Sequence, residues 1–215
     1  MSRFILASSS PRRQELIASL GIRFEIIKPE IDEYKQDNES PLDYVQRLSR
    51  EKAQAVAQQL ATPATILAAD TTVVLAADTI GVLQDRPIEE FEVQALVDAP
   101  ILEKPLDADD ARQMLKRLRQ SPHFVITGYT ILRLGEAPIE ITDFSLTRVT
   151  MRPYTDAEIE AYIASGDPFD KAGAYAIQNP DFKPVAKIDG DYNNVVGLPL
   201  AAVKESLLQI GYLKP

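Results

Sequence analysis

The sequence predicts an α/β fold with a mixed sheet. Apolar strand-like runs alternate with segments of helical periodicity along the chain. The first run, Phe4-Ile5-Leu6-Ala7, passes straight into a serine-proline helix start. Two β-rich stretches, 123–134 and 139–152, follow each other across a break near Gly135 and read as an antiparallel pair, which makes the sheet mixed.

Strands at 3–7 and 23–27 flank the first helix. Ser10 reads as its N-cap and Pro11 as its first residue, because proline has no N–H to lose there and its φ is already helical. Leu16, Ile17 and Leu20 form the buried face, and Gly21 stops the helix. Arg12 and Arg13 then stand in the first turn, at the end of the macrodipole that stabilises anions. With the hydroxyls of Ser8, Ser9 and Ser10 and the free backbone N–H groups they form a phosphate cradle, or else a solvated pair beside a serine turn. A long helix follows at 42–60, its apolar stripe of Val45, Leu48, Val56 and Leu60 interrupted by Lys52. That lysine either snorkels to water or points into a cleft and holds a phosphate.

Residues 65–75 read as a continuous apolar strand with Asp70 embedded in it. A carboxylate there is costly unless it is paired, hydrogen-bonded or metal-bound, so Asp70 either pairs with Lys or Arg, caps a turn, or marks a site. Asp107 caps a helix over 107–119, and the box Thr155-x-x-Glu158 opens one that stops at Gly166. A last helix covers 199–210. The small and charged residues of 170–178 and the stretch 191–199 let a ligand approach the backbone, and Gln178 carries the donors and acceptor that reading a base edge requires. The acidic cluster Glu30-Ile31-Asp32-Glu33 offers an oxygen to Mg²⁺, though most such clusters are only solvated.

With 215 residues, 45% hydrophobic and 26% charged, the chain is expected to be one soluble domain over 1–215. No run is long enough to span a bilayer, and the first apolar run meets Pro and Arg too soon for a signal peptide, so a cytoplasmic protein without a membrane partner is expected. The absence of cysteine excludes a disulfide framework, a thiolate metal site and a cysteine nucleophile, and a single histidine, His123, excludes a His-rich cluster. A formal net charge of -9 argues against nucleic-acid binding. Neither Gly-x-x-x-x-Gly-Lys nor Gly-x-Gly-x-x-Gly occurs, so a phosphate must be held by a local basic pocket.

An ordered series of motifs runs through the chain: Ile5-Leu6-Ala7-Ser8, Pro11 to Leu16, Pro29-x-x-Asp32-Glu33, Lys52-Ala53, Ala69-Asp70-Thr71 and Lys104-Pro105. It continues with Val125-Ile126-Thr127-Gly128, Asp170 to Tyr175, Ile177-Gln178, Gly190-Asp191-Tyr192 and Gly197-Leu198-Pro199. This series resembles the Maf family of nucleoside triphosphate pyrophosphatases, related in fold to the inosine triphosphatase group. The resemblance implies a central mixed sheet flanked by helices in two lobes around a nucleotide cleft, often as a homodimer. The implied reaction is hydrolysis of a nucleoside triphosphate to the monophosphate and pyrophosphate. Ser8, Arg13, Lys52 and Lys104 would bind the triphosphate, Glu33 and Asp70 would serve a divalent cation, Mg²⁺ or Mn²⁺, and Asp70 would be the proton acceptor. Arg12, Thr71 and Gln178 resemble the subgroup acting on dTTP and UTP, whereas the subgroup acting on 7-methylated GTP shows a tryptophan, which this chain lacks. Residues 76–103, rich in Asp and Glu including Asp78, stand where the family has a short hairpin and read as an acidic insertion. Arg86-Pro87 then competes with Lys104-Pro105 for the family's Lys-Pro position. A second reading, a nucleotide-binding regulator of cell division tied to septum inhibition, requires lost catalysis, against which Asp70, Lys52 and Glu33 argue.

Overall fold

The computed structural model describes residues 3–60, 72–83, 96–135 and 137–214. In chain order these form β1 (Arg3–Leu6), α1 (Pro11–Ser19), β2 (Glu25–Ile26), α2 (Pro41–Leu60), β3 (Thr72–Leu83), β4 (Ile101–Leu102) and α3 (Ala108–Gln120). There follow β5 (His123–Leu134), β6 (Ile139–Met151), α4 (Asp156–Ala164), β7 (Val185–Asp189), α5 (Tyr192–Val196) and α6 (Leu200–Gln209). The strands pair in the order β2-β1-β3-β5-β6-β7, with β4 on β3. The pairs β1–β2 and β1–β3 are parallel while β3–β4 and β6–β7 are antiparallel, so the sheet is mixed as expected.

The described chain forms two compact units. The first takes residues up to Thr79, 127–145 and from Gly197 onward; the second takes 80–126 and 146–196. In the first unit both faces of β1 are covered, which is why its sequence is apolar without alternation. Phe4 and Leu6 pack with Ile17 of α1 and Val203 and Leu207 of α6, while Ile5 and Ala7 pack with Ala53 and Val56 of α2. The second unit has its own core, in which Ala111, Leu115 and Leu118 of α3 meet Ile159, Tyr162 and Ile163 of α4. There Phe182 stacks on Tyr162 at 4.3 Å between ring centroids.

Helix starts follow the sequence closely. Pro11 begins α1, although Ser10 makes no side-chain cap. Asp107 accepts from the Asp110 N–H at the head of α3, and both arms of the Thr155/Glu158 box are formed. Strand limits differ more. The strand read at 65–75 is described only from Thr72 and runs on to Leu83, because Ala76, Ala77 and Val82 are as buried as Val74. The segment read as an insertion from residue 76 therefore begins inside β3 and includes β4; residues 84–95, with Arg86, lie outside the described residues. Among the described residues no helix is long and apolar enough to cross a membrane.

Candidate active site

The two faces of β3 explain how charged and hydroxyl side chains collect in an apolar strand. Val73, Leu75 and Ala77 belong to the core under α1 and α6, and Val74 and Ala76 to the core under α2. Carried two residues further, that alternation turns Asp78 toward α2 and Thr79 toward α1. Lys52 precedes Ala53 on α2 and meets Asp78 there, Nζ to Oδ1 at 2.7 Å, with side chains only 8% and 12% exposed. Glu33 approaches the same ammonium at 3.1 Å from the more open side. The lysine that interrupts the α2 stripe is thus buried and paired rather than snorkelling.

On the other face Arg13 comes down from the first turn of α1. Its Nε donates to the Gly197 carbonyl at 2.8 Å, Nη1 to the Ala77 carbonyl at 2.8 Å and the Ser8 hydroxyl at 3.4 Å, and Nη2 to Thr79 Oγ1 at 3.1 Å. Burial lowers the pKa of this guanidinium, and the nearby Asp78 and Glu33 carboxylates oppose that shift. Thr79 also exchanges a hydrogen bond with Thr127 of β5 at 2.9 Å. Arg13 therefore ties α1, β3 and the Gly197 turn together with donors expected to meet a triphosphate. Arg12, beside it, is half-buried.

These groups stand at the carboxyl end of a parallel strand pair. Leu6 of β1 lies opposite Leu75 of β3, the Ala7 N–H bonds the Leu75 carbonyl, and Ser8 and Asp78 are the next polar side chains on each chain. Ligands of open α/β sheets bind at such ends. Among the described residues no three acidic or histidine side chains converge on one point. Asp78 and Glu33 do share one, occupied by the Lys52 ammonium. Two hard carboxylates completed by substrate oxygens are a donor set that suits Mg²⁺.

Of the residues singled out in the sequence, Ser8, Arg13, Glu33 and Lys52 come together in this one unit. Asp70 and Thr71 lie outside the described residues. The carboxylate seated on Lys52 is Asp78, and the threonine beside Arg13 is Thr79. The sequence does carry a signal for them, since Ala69-Asp70-Thr71 recurs eight residues later as Ala77-Asp78-Thr79. Local pattern cannot choose between the two copies; the pairing of Arg3 to Leu6 with Thr72 to Leu75 sets the second one just past the carboxyl end of the β1–β3 ladder.

The family profile described as Maf-like protein matches residues 3–210. The chain belongs to the Maf family. Among its relatives, a dTTP/UTP pyrophosphatase of Geobacter sp. (strain M21) is 42% identical over 99% of this chain and 97% of its own length. A dTTP/UTP pyrophosphatase of Shigella sonnei (strain Ss046) is 42% identical over 100% of this chain and 96% of its own. A solved structure, a nucleoside-triphosphatase / dITP/XTP pyrophosphatase from Mycobacterium abscessus, covers 97% of both chains at 12% identity and a TM-score of 0.39, too slight a likeness to bear on fold or chemistry. Two more residues singled out in the sequence fall in the second unit: Lys104, exposed just after β4, and Gln178, exposed in the segment after Tyr175.

Proposed function

We propose that this Maf protein hydrolyses dTTP and UTP to the nucleoside monophosphate and pyrophosphate, with Asp78 as the proton acceptor. One observation carries the assignment of the chemistry: Asp78, at the carboxyl end of the β1–β3 pair, is a nearly buried carboxylate faced by Lys52 and, through it, by Glu33. The full-length relatives named dTTP/UTP pyrophosphatase support the substrate.

In this reading Asp78 orients a water toward the α-phosphorus and takes its proton as the new P–O bond forms. The bond from the α-phosphorus to the bridging oxygen breaks, and pyrophosphate leaves with the electron pair. Lys52, Lys104 and the Ser8 hydroxyl meet the charge on the phosphate oxygens. Glu33 and Asp78 would hold a divalent cation, Mg²⁺ or Mn²⁺, whose bound charge would neutralise the phosphates and polarise the water. Arg13 serves by fixing Ala77 and Thr79 on either side of Asp78. Arg12, Thr79 in place of Thr71, and Gln178 read the base, Gln178 through the carbonyl and N–H edge of a pyrimidine.

A panel of triphosphates at equal concentration, assayed for pyrophosphate and orthophosphate with and without Mg²⁺, tests the proposal. Pyrophosphate from dTTP and UTP, exceeding that from purine triphosphates, is expected. Orthophosphate as the product, or a clear purine preference, overturns it.

A further inference from the structure

Gln178 stands at the tip of a turn that is pegged far more heavily than a chain reversal needs. Ala176, Ile177, Gln178 and Asn179 make the turn, closed by the Asn179 N–H on the Ala176 carbonyl at 3.2 Å. Both ends are tied to one further device. The Ala176 N–H donates to the Tyr162 hydroxyl at 3.1 Å, that hydroxyl donates to Asp167 Oδ2 at 2.5 Å, and Asn179 Nδ2 donates to the same Oδ2 at 3.1 Å. The chain of bonds runs from the first residue of the turn through Tyr162 and Asp167 to the last, and Gln178 alone points outward, exposed.

The anchors are themselves anchored. Lys171, buried, reaches the Asp167 carboxylate at 2.9 Å and its carbonyl at 2.7 Å. The Tyr162 ring is stacked on Phe182, whose N–H bonds Asn179 Oδ1 at 2.8 Å. Just upstream, the Tyr175 hydroxyl meets Nε2 of the fully buried His123 at 2.8 Å, while His123 Nδ1 has no hydrogen-bond partner among the described residues. The chain entering the turn passes through Gly173 and Ala174 at φ of 72° and 60°, and a buried alanine keeps that conformation only where its surroundings over-determine it. Every one of these groups belongs to the second unit.

We infer that Tyr162 and Asp167 are positioning residues for base selection, acting through Gln178 by holding the Ala176–Asn179 turn rigid. The inference rests on the proposal that Gln178 reads the base. A side chain reading a base edge from a mobile turn loses part of each hydrogen bond to the ordering of the turn, whereas a pre-ordered turn has already met that cost. The hydroxyl of Tyr162 touches no nucleotide in this scheme; its influence passes through the Ala176 N–H and Asp167.

The test is Tyr162→Phe, which keeps the ring on Phe182 and deletes the link between the ends of the turn. Discrimination is read as kcat/KM for the best triphosphate of the wild-type panel over that for the worst, so it stays readable whichever base is preferred. Tyr162→Phe is expected to lower this ratio about tenfold, equivalent to about 1.4 kcal/mol, through KM, and to speed amide exchange at 176–179 in the ligand-free protein. In a Gln178→Ala background the same change should move the ratio by less than about twofold, the size of ordinary additivity error. An unaltered ratio, or an equal loss with and without Gln178, overturns the inference. Asn179→Ala, which removes the Nδ2 peg on Asp167 together with the Asp181 and Phe182 N–H bonds to Oδ1, loosens the same turn from its other end and gives the same readings should Tyr162→Phe not fold. A wild type that discriminates but prefers purines overturns the proposed substrate and leaves this readout intact; one that discriminates among no bases overturns the inference too.

Discussion

Asp78 is affordable inside β3 only because Lys52 waits for it. Its carboxylate and that ammonium are nearly out of water, and either alone would cost several kcal/mol. Asp78→Asn keeps the shape, removes the proposed proton acceptor and leaves Lys52 with Glu33; turnover should fall by about 10²- to 10⁴-fold while circular dichroism still reports a folded protein. Asp70→Asn, made in parallel, should retain most of the activity, and the reverse ranking would return the catalytic role to Asp70. Arg13 is a second residue whose job depends on geometry. Lysine cannot reproduce a planar fork with four bonds in three directions, so Arg13→Lys should lower stability by about 1–3 kcal/mol in urea titrations and lower kcat with it, although the charge is kept. His123 gives a pH signature: burial depresses its pKa from 6.5 to about 3. Between those values the unfolded chain binds a proton that the native one does not, so its contribution is complete above the unfolded pKa and is lost as pH falls. The stability of the wild type minus that of His123→Gln should therefore be flat near neutrality and decline below pH ~6.5 with a slope approaching about 1.4 kcal/mol per pH unit, as measured by denaturant unfolding at several pH values.

At the scale of elements, the helices were legible because their signals are local. Pro11, Asp107 and the Thr155/Glu158 box act within one turn of chain, and the structure begins α1, α3 and α4 at them. Strand limits were less legible because pairing, not composition, ends a strand. The tail of β3 is apolar apart from Asp78 and Thr79 and reads as the start of an insertion only against the family's short hairpin, yet Gly81 and Val82 pair with Leu102 and Ile101 of β4. Helix-to-sheet packing adds a constraint that composition does not show. At Gly128 of β5 a Cβ would sit 2.6 Å from the Val45 carbonyl carbon and oxygen of α2, backbone atoms that cannot swing aside. Gly128→Ala should therefore push α2 off the strand and cost about 1–3 kcal/mol, seen as a lower Tm. Because α2 carries Lys52 and β5 carries Thr127 next door, activity should fall along with stability.

For the whole molecule, a formal charge of -9 means that an anionic substrate is attracted by local groups against an unfavourable mean field. Binding should then be salt-sensitive but specific. In the slow Asp78→Asn variant, dTTP with Mg²⁺ at about 100 times its Kd should stabilise the fold by about 2.7 kcal/mol, raising Tm, whereas dGTP at the same concentration should raise it less; equal shifts would count against pyrimidine selection. The sequence alone determined the α/β class, the helix starts and the membership in the Maf family, since these rest on residue type and order along the chain. It also named Ser8, Arg13, Glu33 and Lys52, whose motifs occur once. It could not rank two identical Ala-Asp-Thr tripeptides, because both satisfy the same local rules. Nor could it show that Arg13 is held by the carbonyls of Ala77 and Gly197, 64 and 184 residues away along the chain. The tertiary structure shows where Asp78 and Arg13 are held, through the register of β1 on β3 and the packing of α2 over one face of that pair, where alternation along the strand turns Asp78 to Lys52 and Thr79 to Arg13.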